Sequence, residues 1–275
     1  MSRPRSPQGS ITRGTTNPNR LRRVDRWITR WPALRHTTHP LVVDLGYGAS
    51  AITPVELLER IRRVRPDATL VGFEIDPTRV TSAIDELELV AQQGRDTAGI
   101  SFHLGGFETP LPVGESAVVI RAFNVLRQYN EKDVADAWRR MLTRLQPGGV
   151  LVEGTCDEIG RVSTWIALTQ DGPQTLTVSL RLTDLDEPSI AAERLPKALI
   201  HHNVDGENIH RFFVDLDRWW HTHVGLGSFS AEQRWVATAQ SMKDAGWPVR
   251  DGRSLWRLGE ITLDWAAVAP DKLEL

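Results

Sequence analysis

Residues 42–50 form an apolar run that leads into a glycine turn, Val42-Val43-Asp44-Leu45-Gly46-Tyr47-Gly48-Ala49-Ser50. The run 41–45 has the length and the branched side chains of a buried strand. Glycine permits a tight turn and lets a ligand approach the backbone without meeting a Cβ atom. We therefore predict a strand, a ligand-binding turn and the start of a helix.

The same alternation continues along the chain. Short apolar runs predict further strands at 69–74, 100–104, 117–122 and 150–154, and amphipathic segments between them predict helices. Strands that alternate with helices are typical of a parallel sheet covered by helices on both faces. We expect residues 17–155 to form a cofactor-binding α/β core.

The pattern changes after residue 155. Residues 161–168 and 175–182 predict two strands of a hairpin, joined by Gln170-Asp171-Gly172-Pro173, and residues 188–224 predict helices. We interpret residues 156–229 as an inserted α+β cap over the substrate. A helix from Ser230 and two short strands at 254–258 and 261–269 are then expected to complete the main sheet within residues 230–275.

The glycine turn by itself is compatible with two cofactors. Gly46, Gly48 and Ala51 also satisfy the pattern of dinucleotide-binding proteins. Asp44 favours S-adenosylmethionine, because a carboxylate could hold the cationic amino group of that cofactor but would repel a pyrophosphate. Glu74 lies 28 residues after Gly46, whereas about 20 is expected for a dinucleotide.

Residues 41–154 resemble the class I S-adenosylmethionine-dependent methyltransferases, and more narrowly an actinobacterial branch of them. The turn matches the first motif of the family, Leu145–Leu151 matches its L-x-P-G-G-x-L turn, and Met242–Trp247 is similar to a late helix end. The resemblance implies a Rossmann-like α/β fold with a mostly parallel seven-stranded sheet. It also implies S-adenosyl-L-methionine as cofactor and S-adenosyl-L-homocysteine as product.

The resemblance implies a set of cofactor-binding residues. In the family, the acid at the position of Glu74 binds the two ribose hydroxyls, the segment after the third strand lies beside adenine, and the fourth-strand segment lines the cofactor. The residues implied are Asp44, Gly46, Tyr47, Gly48, Glu74, Phe107, Glu108 and Asn124.

Methyl transfer needs in-line positioning and, for a weak nucleophile, a general base. Our candidates for such a base are Asp157, Glu158, His201 and His202. We interpret Cys156 as a buried, inert thiol. Five histidines lie between residues 201 and 223, but no complete set of metal ligands can be assembled from them, so no metal is predicted.

Charge is distributed unevenly along the chain. The first forty residues contain nine arginines against one acid, Asp25. Residues 1–16 are predicted to be a disordered basic arm, followed by a helix that caps an acidic body. The alternative is that the arm binds nucleic acid, which would make the protein an RNA methyltransferase.

The remaining composition narrows the class of protein. No apolar run approaches the roughly 18 residues of a membrane span, and a single cysteine fits a reducing compartment. We therefore expect a cytoplasmic enzyme that methylates a small molecule, with an oligomeric state that the sequence leaves open. A non-catalytic S-adenosylmethionine-binding protein is the second alternative, and an NAD(P)-dependent oxidoreductase is disfavoured.

Overall fold

The computed structural model describes residues 7–11 and 16–270. The strands are β1 (Leu41–Leu45), β2 (Thr69–Glu74), β3 (Ile100–Leu104), β4 (Ala117–Phe123), β5 (Leu145–Cys156), β6 (Val162–Thr169), β7 (Gly172–Leu180) and β8 (Glu260–Asp264). The α-helices are α1 (Arg22–Ile28), α2 (Pro32–His36), α3 (Ile52–Arg62), α4 (Pro77–Gln92), α5 (Val134–Leu142), α6 (Lys197–Ile200), α7 (Asn208–Thr222), α8 (Ala231–Asp244) and α9 (Arg253–Trp256). Short 3-10 helices cover Leu126–Gln128, Glu131–Asp133, Pro188–Arg194, Val224–Ser228 and Trp265–Ala267.

The strands form one mixed sheet of eight, in the order β3-β2-β1-β4-β5-β6-β7-β8. Strands β1 to β5 are parallel, and β6, β7 and β8 each run antiparallel to the preceding neighbour. The parallel part has the strand order of a Rossmann-like fold, whose direction of winding reverses between β1 and β4. Ligands of such sheets bind at the carboxyl ends of the strands near that point.

The sheet has eight strands, whereas seven were predicted. The hairpin that was predicted to belong to an inserted cap over residues 156–229 is part of this sheet. The hairpin β6–β7 belongs to the main sheet, where β6 pairs with β5 and β7 pairs with β8. Neighbouring residues Trp165 and Ile166 point to opposite faces and are both completely buried. A strand that is buried on both faces must lie inside a covered sheet.

The C-terminal region also differs from the prediction. Residues 254–258 were expected to form a strand, but helix α9 begins after Gly252 and leaves β8 as the strand that completes the sheet. The indole of Trp256 donates a hydrogen bond to Asp251 at 2.7 Å and fixes this turn. A short apolar run does not distinguish one helical turn from a strand by its periodicity.

Helices cover both faces of the sheet. Ile28 of α1 and Leu58 of α3 share a core with Val119, and Trp138 of α5 and Trp235 of α8 are buried on the other face. These two layers leave the carboxyl ends of β1, β2 and β4 as the place for a site. Within the described ranges 7–11 and 16–270, no helix is long and apolar enough to cross a membrane.

The arginines of α1 and of the turn that follows it bind the body of the protein. Arg26 and Arg30 form ion pairs of 2.5 and 2.6 Å with the buried Glu260 of β8, and Arg23 donates to Ser179 Oγ at 3.1 Å. These contacts agree with the interpretation of this segment as a capping helix. The arginines that make these contacts are paired within the protein, whereas arginines that bind nucleic acid would face the solvent.

The predicted disordered arm is described only in part. Residues 7–11 are described and contact the site, and the disorder of the arm stays a prediction. The remainder of the arm, residues 1–6 and 12–15, lies outside the described residues.

Candidate functional site

The turn after β1 requires glycine at two positions. Gly46 and Gly48 have φ angles of 67° and 87°, in the left-handed region that favours glycine. A Cβ atom on Gly46 would lie 2.5 Å from Val125 Cγ2, much closer than two carbon atoms can approach. The turn therefore brings its backbone close to the segment that follows β4.

Glu74 ends β2 beside this turn and is buried. Its Oε2 accepts a hydrogen bond from Gly48 N at 3.1 Å, and its Oε1 accepts one from Ile75 N at 2.9 Å. Arg79 Nη1 lies 3.7 Å from Oε2 and partly balances the charge. The carboxylate predicted to bind ribose is thus fixed at the carboxyl ends of the central strands.

Asp44 has a partner that the sequence analysis did not foresee. Arg121 of β4 is its register partner across the sheet and donates to it through Nε at 2.9 Å and Nη2 at 2.5 Å. The Nη1 of Arg121 binds Asp25 of α1 at 2.5 Å, and Arg60 lies 2.7 Å from the same carboxylate. The charge of Asp44 is thus balanced inside the protein. The predicted contact between Asp44 and a cofactor stays a prediction.

Two rings, those of Phe107 and Tyr129, line the site beside Glu74, and the acid Glu108 follows Phe107 in the chain. Phe107 packs edge-on against Tyr129, with ring centroids 5.0 Å apart. Glu108 turns back and accepts hydrogen bonds from Gly106 N and Gln8 N, both at 2.9 Å. These residues and Glu74 surround the place where adenosine is predicted to bind.

The segment 7–11 occupies that place. Phe107 N donates to Gln8 O at 3.0 Å, while Gln8 N donates to Glu108 and the Tyr129 hydroxyl donates to Ser10 O at 2.9 Å. The backbone of Gln8 thus presents both a donor N–H and an acceptor oxygen, as the edge of an adenine ring does. The cavity left among these residues measures about 20 Å³, room for about one water molecule. A nucleoside can enter only if this segment moves.

A second cavity, of about 170 Å³, opens on the other side of the turn. Its lining includes five of the predicted cofactor-binding residues, Asp44, Gly46, Tyr47, Gly48 and Asn124. Gly46 lines both cavities, so they meet at the glycine turn. The Tyr47 hydroxyl is buried and has no hydrogen-bond partner among the described residues.

Asn124 positions the end of β5. Its φ is +60°, a conformation that asparagine tolerates better than most residues. Its Oδ1 accepts from Cys156 N at 2.9 Å, and its own N–H donates to Gly154 O at 2.8 Å. Cys156 is buried, and burial raises the pKa of its thiol, which agrees with its interpretation as inert.

Three of the four candidate bases are engaged by other residues. Asp157 accepts from Arg161 N at 2.7 Å, and Glu158 is an exposed partner of Arg194 at 3.5 Å. His202 lies between two glutamates, with Nε2 2.7 Å from Glu131 and Nδ1 3.4 Å from Glu207.

His201 is exposed at the end of α6. None of the four candidates lines the 170 Å³ cavity, so the structure does not bring them together at the glycine turn. Their role as bases stays a prediction. Among the described residues, no group of three or more histidine, cysteine or acidic side chains is arranged to hold a metal ion.

Three arginines that the sequence analysis missed line the 170 Å³ cavity: Arg20, Arg127 and Arg194. Arg127 follows Asn124 by three residues, so its place in the fourth-strand segment was a usable signal. Arg194 lies far along the chain from every motif, and the sequence contained no signal for it.

Comparisons with known proteins give distant likenesses only. No family profile and no curated protein matches the chain. One solved structure is that of an O-methyltransferase from neocarzinostatin biosynthesis, in complex with S-adenosylmethionine and 2-hydroxy-5-methyl naphthoic acid. It is 22% identical to this chain over 46% of this chain and 35% of its own length, with a TM-score of 0.33. The plantazolicin methyltransferase in complex with S-adenosylhomocysteine is 13% identical over 50% and 47%, with a TM-score of 0.37.

The magnesium protoporphyrin IX methyltransferase from Synechocystis is a third likeness, with S-adenosylhomocysteine bound. It is 15% identical over 49% of this chain and 55% of its own, with a TM-score of 0.36. The match thus spans between a third and about half of the length of these proteins.

Proposed function

We propose that the protein transfers a methyl group from S-adenosylmethionine to a small-molecule acceptor. This proposal rests on one observation: Gly46 lines both cavities, so they meet at the glycine turn. One cavity holds Glu74 and Phe107, and the other holds Asp44 and Asn124. A ligand with a nucleoside half and an amino-acid half would span such a pair of cavities across the turn.

Glu74 and the residues near it fit the nucleoside half. An ionised carboxylate has about four acceptor positions. Glu74 accepts from Gly48, Ile75 and, at 3.4 Å, Asp76, so it retains about one position for a hydroxyl donor. Phe107 offers an apolar wall, and Glu108 already accepts an N–H from Gln8 at 2.9 Å. An adenine amino group would replace that donor when residues 8–10 move.

The second cavity fits the amino-acid half. Asp44, Gly46 and Gly48 line it at the turn, and Asn124 holds the backbone of Cys156 in place at 2.9 Å. When bound, S-adenosylmethionine supplies an electrophilic methyl group attached to a cationic sulfur. The contribution of these residues is orientation, since methyl transfer depends on in-line approach.

A small acceptor is favoured over a nucleic acid. The cavity lined by the ends of β1, β4 and β5 and by Arg194 measures about 170 Å³, so the space beside the amino-acid half of the cofactor suits a small organic group. Arg26 and Arg30 bind the buried Glu260, and Arg23 binds the carbonyl oxygen of Gly160, so these three arginines of the basic region have partners within the protein.

Turnover is the experiment that tests this proposal. The protein is incubated with S-adenosylmethionine and the small-molecule fraction of a cell extract, and release of S-adenosylhomocysteine is measured. We expect release above the rate without extract, and a loss of at least tenfold in Glu74→Gln. Glu88→Gln, on the exposed face of α4, is the matched control. Cofactor binding without release in any extract would indicate a non-catalytic binding protein.

A further inference from the structure

We propose that the acceptor carries an oxyanion, a carboxylate or a phosphate, which is bound by Arg127 and Arg194. This inference rests on the proposed function and names the chemical class of its substrate. Both arginines line the cavity beside the glycine turn.

The backbone of Arg194 is anchored at the cavity wall. Its carbonyl oxygen accepts hydrogen bonds from the hydroxyls of Thr155 and Thr164, which are both completely buried. The guanidinium of Arg194 has an ionic partner in Glu158, but that contact is 3.5 Å long and the Glu158 side chain is 67% exposed. Such surface pairs contribute little, so a bound anion can replace Glu158 at low cost.

Arg127 is half-buried beside Arg194 and forms no ion pair with a carboxylate of the described part of the chain. Its Nη1 donates to Leu195 O at 3.5 Å, which is at the limit of a hydrogen bond. Burial and then the charge of Arg194 lower the pKa of Arg127, and the charge of Glu193 acts less strongly in the opposite direction. The two positive guanidinium groups repel each other, and an anion bound between them would relieve this repulsion.

The charge of the whole cavity favours the same ligand. Asp44 is the one acid that lines it among the described residues, and Arg121 already neutralises Asp44 through two hydrogen bonds of 2.9 and 2.5 Å. A third lining arginine, Arg20, donates to the carbonyl of Asp157 at 2.8 Å. The cavity is therefore electropositive and concentrates anions. The planar fork of arginine also matches the oxygens of carboxylates and phosphates.

The position of the two arginines assigns the anion to the acceptor. The nucleoside side of the site is built on β1 and β2, which carry Gly46 and Glu74 at their ends. Arg127 follows β4, and Arg194 is anchored to Thr155 of β5 and Thr164 of β6. They line the cavity that also takes the amino-acid half of the cofactor, but on its β5 and β6 side, away from Asp44 and the glycine turn, and we assign that side to the acceptor.

Calorimetry with small probes tests this inference. The protein is saturated with S-adenosylhomocysteine and titrated with benzoate, phenyl phosphate and the neutral benzyl alcohol. We expect at least one of the two anions to bind and benzyl alcohol not to bind, and the stronger anion identifies the group recognised. Arg127→Gln and Arg194→Gln should each weaken the anion about tenfold or more, the scale of one hydrogen bond to a charged group. Their affinity for S-adenosylhomocysteine should change by less than about twofold, within the scatter of one lost peripheral contact.

Arg139→Gln is the matched control, because Arg139 is an exposed arginine of α5 that pairs with Asp136 at the surface. Three outcomes overturn the inference and leave the proposed function intact. In the first, neither anion binds the complex; in the second, the control weakens the anion as much as the two variants do. In the third, the variants lose S-adenosylhomocysteine and keep the anion, which would assign the arginines to the carboxylate of the cofactor. Failure of the wild-type protein to bind S-adenosylhomocysteine would overturn the proposed function itself.

Discussion

Arg121 Nη2 lies 2.5 Å from Asp44 Oδ2, and its Nε lies 2.9 Å from Asp44 Oδ1, inside the sheet below the glycine turn. The two residues are paired in register on adjacent parallel strands, and both are buried. Asp25, which binds the third guanidinium nitrogen, brings α1 into the same network. One side chain thus joins the first strand, the fourth strand and the helix that covers them.

Removal of the Arg121 charge should strongly destabilise the fold. In Arg121→Gln, two buried carboxylates lose their partner, and breaking a buried pair in this way costs about 3–5 kcal/mol of unfolding free energy. Arg121→Lys keeps the charge but loses the two-pronged contact, so it should retain part of that stability. Urea unfolding measures both, with Arg139→Gln as a surface control that costs less than about 1 kcal/mol. A loss below that value in Arg121→Gln would contradict the network.

Glu153 of β5 is a second buried acid, and it lacks such a partner. It is completely buried on the face that carries Trp138, and neither of its oxygens has a hydrogen-bond partner among the described residues. Burial raises its pKa from 4.5 to about 8, with Trp138 acting weakly in the opposite direction. The folded protein therefore keeps this carboxyl protonated at neutral pH.

Stability should fall with rising pH because of Glu153. The raised pKa contributes stability that is fully present below 4.5, the ordinary pKa, and is lost as the pH rises to about 8. Glu153→Gln cannot ionise, so the variant should gain about 2–3 kcal/mol relative to wild type between pH 6 and pH 8, at 1.36 kcal/mol per unit. Urea unfolding at several pH values measures this difference, and Glu88→Gln should follow wild type. A difference between Glu153→Gln and wild type that does not vary with pH would show that Glu153 ionises normally.

The segment 7–11 should compete with the cofactor. Deletion of residues 1–11 removes the contacts of Gln8 and Ser10 with Glu108, Phe107 and Tyr129. Since each of these three bonds contributes about 1 kcal/mol and about 1.4 kcal/mol is tenfold in affinity, we expect the affinity for S-adenosylhomocysteine to rise between about tenfold and a hundredfold. Gln8→Ala is the control, because the contacts use the backbone of Gln8, and it should bind like wild type. A weaker affinity after deletion would mean that the segment closes over the ligand instead of occupying its place.

The parallel half of the fold could be predicted from the sequence. The runs at 41–45, 69–74 and 100–104 agree with β1, β2 and β3 at both ends, because each is a short apolar segment bounded by turn residues. The hairpin of 161–182 was also predicted as a hairpin. Its place in the sheet was not, because periodicity identifies a strand but not the strand with which it pairs.

Only the part of the site that is built from one local sequence motif could be predicted. Gly46, Gly48 and Glu74 meet as expected, since the ends of adjacent parallel strands lie together. The pairing of Asp44 with Arg121 depends on the register of two strands 77 residues apart, and Arg194 reaches the cavity through tertiary packing on Thr155 and Thr164. A single sequence contains no local signal for either.

Calorimetric titration with S-adenosylhomocysteine, and with NAD as the rival ligand, tests the central claim most directly. We predict that the wild-type protein binds S-adenosylhomocysteine and not NAD. Glu74→Gln should weaken that binding by about 1.5–3 kcal/mol, the scale of hydrogen bonds to a charged group, while Glu88→Gln leaves it unchanged. Binding of NAD without binding of S-adenosylhomocysteine, or an affinity that Glu74→Gln does not change, would contradict the account.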